Sequence, residues 1–380
     1  MSAPRLRVLH VVGNLELGGG QKLTALVAES LDRDRFDVAV LNLGPRGPYS
    51  DRLTARGIEV IDLGMPQDGS LASRMAQLAA VPRMLRVLWA RPRWDIVHTH
   101  MFRTSLLCTI PARLRGSRVL GTVHRIYYSR LQPTVERWVS HLQERIVVDS
   151  LAVREILREQ THIPIAKYAV LHNGIDPSEL DHAPSSEAAR RTLGLDPGDV
   201  VISEIAHLAP HKGQHHLLGA FARLLNEGSA RRPLRLCLVG DGPDRASLEA
   251  EAARLGISDS VWFAGARGDL PELLSATDIL ALPSEFEGFG LVQAEAMYLR
   301  RPVVATSYGG STEVVDDGVT GYLVPFGDVE RLAGRLGELV DDPALRARMG
   351  EAGRERVLRL FTTQAMAERY RQLYEDPASC

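Results

Sequence analysis

Two glutamates in the segment SEFEGFGLVQAEAM, residues 284–297, have the type and spacing that most suggest chemistry. Glu287 and Glu295 are eight positions apart, and the run Gly-Phe-Gly follows the first of them. A buried strand, DILALPS, precedes the segment, and the composition of GLVQAEAMYL predicts a helix that begins near residues 288–290. Glu295 would then lie roughly two turns inside that helix, about 11 Å along its axis. This separation is too large for the paired carboxylates of a retaining hydrolase, which stand ~5.5 Å apart, and it is awkward even for an inverting one.

A ligand with hydroxyl groups at two ends and phosphate between them fits the spacing better. Each carboxylate would accept hydrogen bonds from hydroxyls, while the free N–H groups of the helix N-terminus would bind phosphate. Glycines let the backbone approach such a ligand closely. A nucleoside diphosphate sugar has this construction. The alternative is an ordinary strand–helix unit whose glutamates are solvated.

The composition indicates a globular protein of two domains. The chain has 380 residues, of which 45% are hydrophobic and 24% charged, and a domain takes about 150 residues. The three cysteines are far apart in the sequence and form neither a disulfide framework nor a metal-binding spacing. No cleavable leader or uninterrupted apolar run of membrane-spanning length is present. We therefore expect a cytoplasmic protein.

Charge is distributed unevenly. Residues 1–150 carry 21 Arg and Lys against 13 Asp and Glu, and residues 151–380 carry 24 against 34. A basic half can meet anionic lipid headgroups or an anionic acceptor. The basic amphipathic segment 71–93 allows peripheral contact with the inner face of the membrane, with an ordinary sheet-covering helix as the alternative. Nucleic acid is not an expected partner.

Short β-rich runs alternate with helical patterns along the whole chain. Six runs between residues 6 and 150 read as strands buried on both faces, and six more follow in the second half. Such alternation predicts an α/β fold with two doubly wound parallel sheets, each of which binds ligands at the carboxyl ends of its strands. The turn residues in LHNGIDPSEL place the domain boundary near residues 171–180.

The sequence resembles the retaining GT-B glycosyltransferases of family 4. The segment 284–297 matches that family's E-x7-E signature, and the following PVVATSYGGSTEVVDDGVTGYLVPFGD continues the match. GDGP (240–243), VWFAGAR (261–267), ATDILALPS and, more loosely, ELGGGQK (16–22) and DIVHTH agree as well. The resemblance implies two Rossmann-like domains that face a central cleft. It implies an acceptor-binding domain at residues 1–176, a nucleotide-sugar-binding domain at 177–360, and a C-terminal helix at 361–380 that crosses back.

The resemblance also implies an activity, the retaining transfer of a hexosyl group from a UDP- or GDP-linked sugar to an acceptor hydroxyl in bacterial glycan, glycolipid or glycoconjugate biosynthesis. The acceptor would be a saccharide, a lipid-linked saccharide or a small molecule. No metal and no cofactor are expected, because the nucleotide sugar is a co-substrate. A nucleotide-sugar epimerase and a non-catalytic partner protein stay open as alternatives.

Several residue roles follow from the resemblance alone. Glu287 would bind the hydroxyls of the donor sugar and Glu295 the ribose diol, while Lys212, one of only three lysines, would bind the diphosphate and His124 would lie near the donor sugar. The backbone amides of Gly288, Phe289, Gly290 and Leu291 would also contact the donor. Gly18 and Gly19 would form a loop that approaches the phosphates, and Arg267 would lie beside the nucleobase. His98 and His100 share a strand face, which favours packing, with the acceptor side as the alternative.

One position departs from the family pattern. The family usually has Gly-Arg-Leu where this chain has Ala206-His207-Leu208. Loss of the arginine removes a guanidinium that can bind phosphate with two hydrogen bonds. His207 can still donate to phosphate, so weaker binding, pH-dependent activity and an altered donor are the three open consequences.

Overall fold

The chain forms two compact units. The computed structural model describes residues 5–16, 18–66, 70–90, 92–123, 132–226 and 233–376. Unit 1 comprises Met1–Gly174 together with Thr363–Cys380, and unit 2 comprises Ile175–Thr362. The boundaries expected at 176/177 and 360/361 each lie two residues from these divisions.

Unit 1 is built on a seven-stranded sheet in which every pair of neighbours is parallel. Its strands are β1 (Leu6–Val12), β2 (Phe36–Asn42), β3 (Glu59–Asp62), β4 (Ile96–His100), β5 (Arg118–Val123), β6 (Arg145–Val148) and β7 (Tyr168–Val170). The connecting helices are α1 (Gly19–Ser30), α2 (Pro48–Ala55), α3 (Leu71–Leu88), α4 (Phe102–Leu114), α5 (Gln132–Ser140) and α6 (Leu151–Thr161). The spatial order is β3-β2-β1-β4-β5-β6-β7, so the chain reverses its direction of growth between β1 and β4.

Two strands of unit 1 differ from the sequence prediction. β3 was expected to be buried on both faces, but its residues are exposed or half-buried. It is the edge strand, with a neighbour on one side only, and edge strands meet solvent. β7 is only three residues long and follows a 3₁₀ turn at Ile165–Lys167, which is too short a run to give a strand pattern.

Unit 2 repeats the architecture with six parallel strands, β8 (Val200–Ile205), β9 (Leu234–Val239), β10 (Val261–Gly265), β11 (Ile279–Leu282), β12 (Val303–Thr306) and β13 (Gly321–Val324). Its helices are α7 (Pro177–Leu180), α8 (Ser186–Leu193), α9 (Gln214–Asn226), α10 (Arg245–Arg254), α11 (Leu270–Ala276), α12 (Leu291–Tyr298), α13 (Ser311–Val314), α14 (Val329–Asp341) and α15 (Pro343–Leu360). The order β10-β9-β8-β11-β12-β13 puts the reversal between β8 and β11. All four residues of β11 and of β12 are buried, as expected of strands covered on both faces.

The last helix, α16 (Thr363–Glu375), belongs to unit 1 although unit 2 precedes it in the chain. Its apolar residues recur at helical spacing, and Met366, Tyr370 and Leu373 are buried against the sheet of unit 1. The Tyr374 hydroxyl lies 2.7 Å from His98 Nδ1 in β4. Among the residues that the structure describes, no helix is long and apolar enough to cross a membrane.

Candidate active site

The switch point between β8 and β11 organises the site of unit 2. Ligands of doubly wound sheets bind where the strand order reverses, beyond the carboxyl ends of the two strands. The segment after β8 leads through a 3₁₀ turn at Pro210–Lys212 to α9, and the segment after β11 contains Glu287. Lys212 and Glu287, two residues that the sequence analysis singled out, therefore stand on either side of the reversal.

A direct ion pair joins these two residues. Lys212 Nζ lies 2.7 Å from Glu287 Oε1, and both side chains are largely buried. The Ser284 hydroxyl donates to the same carboxylate oxygen at 2.7 Å. The pair gives Glu287 a fixed orientation and keeps the ammonium of Lys212 at the switch point, where a diphosphate would need a compensating positive charge.

The backbone around Lys212 is held tightly against the opposite segment. The amide of Glu285 donates to the carbonyl oxygen of His211 at 2.8 Å. Gly213 has a φ of 78°, and a Cβ atom at this position would lie 2.1 Å from the carbonyl oxygen of Pro283. Any larger residue at 213 would push the two segments apart, so this glycine lets Lys212 reach Glu287.

The helix after Glu287 begins later than the sequence suggested. Gly290 adopts a left-handed conformation with φ 93°, and α12 starts at Leu291. Glu295 therefore lies just over one turn inside the helix rather than two, which corrects the 11 Å estimate. Its side chain is buried. The Phe289 ring packs in the core 5.3 Å from the ring of Phe361, which leaves only the backbone of this residue for a ligand.

A second glycine loop, after β12, supports Glu287 from behind. The amide of Gly310 donates to the carbonyl oxygen of Glu287 at 2.7 Å. A Cβ atom at Gly309 would lie 2.4 Å from that same oxygen, and one at Gly310 would lie 2.1 Å from the oxygen of Gly288. Sequence reasoning did not assign these two glycines to the site. Two consecutive glycines directly after a strand were the available signal.

Glu204 was also missed. It lies in β8, is almost completely buried, and accepts a hydrogen bond from Gln214 Nε2 at 2.8 Å. Burial raises the pKa of this carboxyl well above its usual value; the charge of Lys212 opposes the rise and that of Glu287 adds to it. Burial thus favours the neutral form of Glu204 beside the ion pair. A glutamate inside the apolar run VVISEI was the signal.

Unit 1 has its own pocket at its switch point. The pocket has a volume of about 410 Å³ and lies at the carboxyl ends of β1 and β4; its lining includes Asn14, Gly20, Gln21, His100, Arg103 and Thr104. Gly18 precedes α1 and Gly19 is its first residue, so both glycines stand beside the pocket in sequence. His124 lies outside the described residues, and its expected role stays a prediction.

Three buried histidines lie under this pocket. His10, His98 and His100 present nitrogen atoms that all lie within 4.8 Å of one another. Three neutral imidazoles are a donor set that Zn²⁺ accepts, and burial lowers the pKa of His10 to about 3. His98 already uses both ring nitrogens, however, on Tyr374 and on Thr122. The cluster joins β1, β4, β5 and α16, and the contacts of His98 agree with the packing interpretation. His100 also lines the polar pocket, so the acceptor-side alternative for His100 stays a prediction.

Comparisons with known proteins agree with this architecture. The family model described as Glycosyl transferases group 1 matches residues 185–356, and the model described as Glycosyltransferase Family 4 matches residues 17–179. The D-inositol 3-phosphate glycosyltransferase of Streptomyces scabiei (strain 87.22) is 30% identical over 374 residues, which cover 90% of this chain and 83% of the relative. This chain belongs to the family 4 glycosyltransferases.

Further relatives extend the comparison. The N-acetyl-alpha-D-glucosaminyl L-malate synthase of Bacillus anthracis is 29% identical over 318 residues, which cover 82% of this chain and 80% of the relative. The crystal structure of Anabaena HepE in complex with UDP and glucose superposes with a TM-score of 0.84 at 24% identity, and covers 99% of this chain and 100% of that one. The predicted GT-B fold with two Rossmann-like domains is confirmed, and the chain is a glycosyltransferase.

In the part of this family 4 enzyme that the structure describes, two further residues that the sequence analysis considered for donor binding make no hydrogen bond or salt bridge to the ion pair. Arg267 follows β10, which β9 separates from β8, and its guanidinium binds the carboxylate of Asp269. His207 follows β8 and is exposed. A Cβ atom at Gly242 would lie 2.9 Å from the His207 ring, so the GDGP loop packs against this side chain. The donor-binding roles of both residues stay predictions.

Proposed function

We propose that this family 4 enzyme transfers a hexosyl group from a UDP- or GDP-linked sugar to an acceptor hydroxyl, with retention of anomeric configuration and without a metal ion. The observation that carries the proposal is the ion pair between Lys212 Nζ and Glu287 Oε1 at the switch point. It places a positive group for the diphosphate beside a carboxylate that can accept hydrogen bonds from sugar hydroxyls. Bacterial glycan biosynthesis is the proposed setting, and the name of one relative, the UDP-Gal:alpha-D-GlcNAc-diphosphoundecaprenol alpha-1,3-galactosyltransferase of Escherichia coli, supports it.

Donor binding would exchange partners within the site. The diphosphate would take Lys212 from Glu287, and the released carboxylate would turn to the hydroxyls of the sugar. The amides at 288–291 would add donors from the N-terminus of α12, where the helix dipole also favours negative charge. Lys212 would then stabilise the charge that develops on the departing phosphate, which is the task that a divalent cation performs elsewhere.

Retention follows from where the acceptor proton goes. The departing phosphate oxygen is a base on the same face of the sugar from which the leaving group departs. The acceptor hydroxyl would give its proton to that oxygen while its own oxygen bonds to the anomeric carbon on that face. Burial favours the neutral form of Glu204, and the proposed mechanism gives this carboxyl no role as a nucleophile. HepE, whose structure resembles this one, was crystallised with UDP and glucose, the two parts of the donor UDP-glucose, which supports the proposal.

Product analysis tests the proposal directly. The enzyme would be incubated with ¹³C-labelled UDP-glucose or GDP-mannose, a panel of acceptors and EDTA, and NMR would follow the anomeric signals. We expect an α-linked product from the α-linked donor, at a rate that the chelator does not change. A β-linked product, or activity that returns only with Mn²⁺, would contradict the mechanism. A changed sugar without any acceptor would indicate the epimerase instead.

A further inference from the structure

Two cavities of unit 1 share one wall. The first is the polar pocket at the switch point between β1 and β4, described above. The second has a volume of about 410 Å³ and lies where α3 faces α4. Arg103 lines both of them. The remaining lining of the second cavity is apolar except for Gln77, and it consists of Met65, Leu78, Val81, Met84, Leu106 and Leu107.

Arg103 is the charged group at the junction. Its side chain is half-buried and has no hydrogen-bond acceptor or ion-pair partner among the residues that the structure describes. A guanidinium binds carboxylate or phosphate with two hydrogen bonds when one is offered. Arg103 is the second residue of α4, where the helix dipole also favours an anion. The junction of the two cavities is therefore suited to a negatively charged group.

The backbone next to Arg103 is strained. Met101 has a φ of 74° and a ψ of 158°, a combination that is costly for any residue with a side chain. Met101 also lines the polar pocket. Strain of this kind persists where the surrounding structure holds the backbone in place, often at binding sites. Here the strained residue directly precedes α4 and therefore determines where the helix starts and where Arg103 lies.

Two apolar side chains that line the second cavity are exposed to solvent. Leu78 is 65% exposed and Leu106 is 45% exposed, although both line the cavity. Burying such side chains under an apolar ligand is favourable in proportion to the area removed from water. The cavity thus combines solvent-exposed apolar surface with the guanidinium of Arg103, which it shares with the polar pocket.

We propose that the acceptor is a lipid-linked saccharide phosphate. Its saccharide would occupy the polar pocket, its phosphate would bind Arg103 at the shared wall, and its hydrocarbon chain would lie in the apolar cavity between α3 and α4. The order saccharide, phosphate, chain along such a molecule is the order polar pocket, arginine, apolar cavity along unit 1. The inference rests on the proposed function, since only a transferase needs an acceptor.

Chain-length dependence of binding provides the test. The full chain would be titrated calorimetrically with inorganic phosphate and with butyl, hexyl and octyl phosphate, each below its micelle concentration, and with octanol as the uncharged probe. We expect Kd to fall about fourfold for each added methylene until the cavity is filled. Octanol should bind more weakly than octyl phosphate.

Variants separate the two parts of the site. Arg103→Met should weaken every phosphate probe and abolish the preference for octyl phosphate over octanol. Leu78→Gln and Leu106→Gln should flatten the chain-length dependence while inorganic phosphate binds as before. Leu114→Gln is the matched control, because Leu114 lies on the same helix, is 77% exposed and does not line the cavity.

Nucleotide binding in the same samples distinguishes the possible failures. Binding that needs Arg103 but not chain length would overturn the lipid and indicate a small anionic acceptor. Alkyl phosphate binding that depends on chain length, with Kd values that Arg103→Met leaves unchanged, would overturn the phosphate site. Absence of any alkyl phosphate binding, with UDP or GDP still bound, would overturn this inference and leave the donor proposal standing. Absence of both alkyl phosphate binding and nucleotide binding would overturn this inference and the donor proposal together.

Discussion

Lys212 and Glu287 neutralise each other before any ligand arrives. Their separation of 2.7 Å means that donor binding replaces one ion pair by another, so the site does not have to carry an uncompensated buried charge between turnovers. In the proposed mechanism, free nucleotide needs only Lys212, whereas the sugar needs Glu287 as well. The two residues should therefore affect binding and turnover differently.

Glu287→Gln separates these contributions. Because the variant removes a negative charge next to Lys212, the Kd for free UDP or GDP should stay the same or fall. The rate of transfer should fall by about 100-fold or more, since a charged partner of the transition state is lost. Calorimetry and steady-state kinetics measure the two effects.

Glu285→Gln is the matched control for this change, because Glu285 is exposed and lies two positions away. It should change neither quantity. A Glu287→Gln enzyme with normal turnover would contradict the role of the carboxylate.

Glu204 should make the stability of unit 2 depend on pH. Burial raises the pKa of this carboxyl well above its usual value in the folded state, so its contribution to stability is fully present below pH ~4.5 and is lost as pH rises through the folded pKa. The loss is at most about 1.4 kcal/mol per pH unit. Glu204→Gln should remove this dependence and be more stable than the natural chain at pH 8.

Urea unfolding of unit 2 between pH 5 and pH 8 measures the effect. Glu330→Gln serves as the control, because the side chain of Glu330 is 82% exposed. Curves for Glu204→Gln and the natural chain that run parallel across this range would show that Glu204 is ionised in the folded protein.

At the scale of elements, α16 is tied to unit 1 through polar contacts as well as apolar ones. The hydroxyl of Tyr374 lies 2.7 Å from His98 Nδ1, and the guanidinium of Arg118 donates to the carbonyl oxygen of Tyr374 at 2.6 Å. The first contact reaches β4, whose carboxyl end lies at the polar pocket. The second reaches β5, which pairs with β4 in the sheet. The helix that closes the chain thus helps to hold the histidines under that pocket.

Tyr374→Phe removes the hydroxyl and keeps the ring. We expect it to lower the free energy of unfolding of unit 1 by about 1–3 kcal/mol, because a buried hydrogen bond to His98 is lost. Denaturant unfolding monitored by tryptophan fluorescence would measure the change. Tyr308→Phe alters an exposed tyrosine of unit 2 and should stay within about 0.5 kcal/mol. A neutral Tyr374→Phe would show that apolar packing alone anchors α16.

The sequence predicted which helices and strands form better than the residues at which they begin and end. Hydrophobic periodicity located twelve of the thirteen strands in the part of the chain that the structure describes, because parallel strands covered on both faces are short apolar runs. The start of α12 was placed too early, because the left-handed conformation of Gly290 depends on packing that no local pattern shows. The support of Glu287 by Gly309 and Gly310 was not assigned for the same reason: it joins segments that are distant in sequence.

At the scale of the whole molecule, the two units share a sheet design but present different side chains at their switch points. Each has a switch point with functional side chains at the carboxyl ends of its strands. Unit 2 presents the ion pair of Lys212 with Glu287, while unit 1 presents a polar pocket with Arg103 on its wall. Our proposals of a donor site in unit 2 and an acceptor site in unit 1 therefore rest on the chemistry of these residues rather than on the shared architecture.

Nucleotide binding without metal tests the central claim most directly. Thermal unfolding would be measured with UDP, GDP, ADP and TDP at matched concentrations in EDTA, for the natural chain, for Lys212→Ala and for the control Lys22→Ala. A nucleotide at 100 times its Kd should stabilise unit 2 by about 2.7 kcal/mol. We expect one nucleotide to stabilise the natural chain and Lys22→Ala selectively, and Lys212→Ala to lose most of that shift. No shift with any nucleotide, or an equal shift in Lys212→Ala, would contradict a donor site built on Lys212 and Glu287.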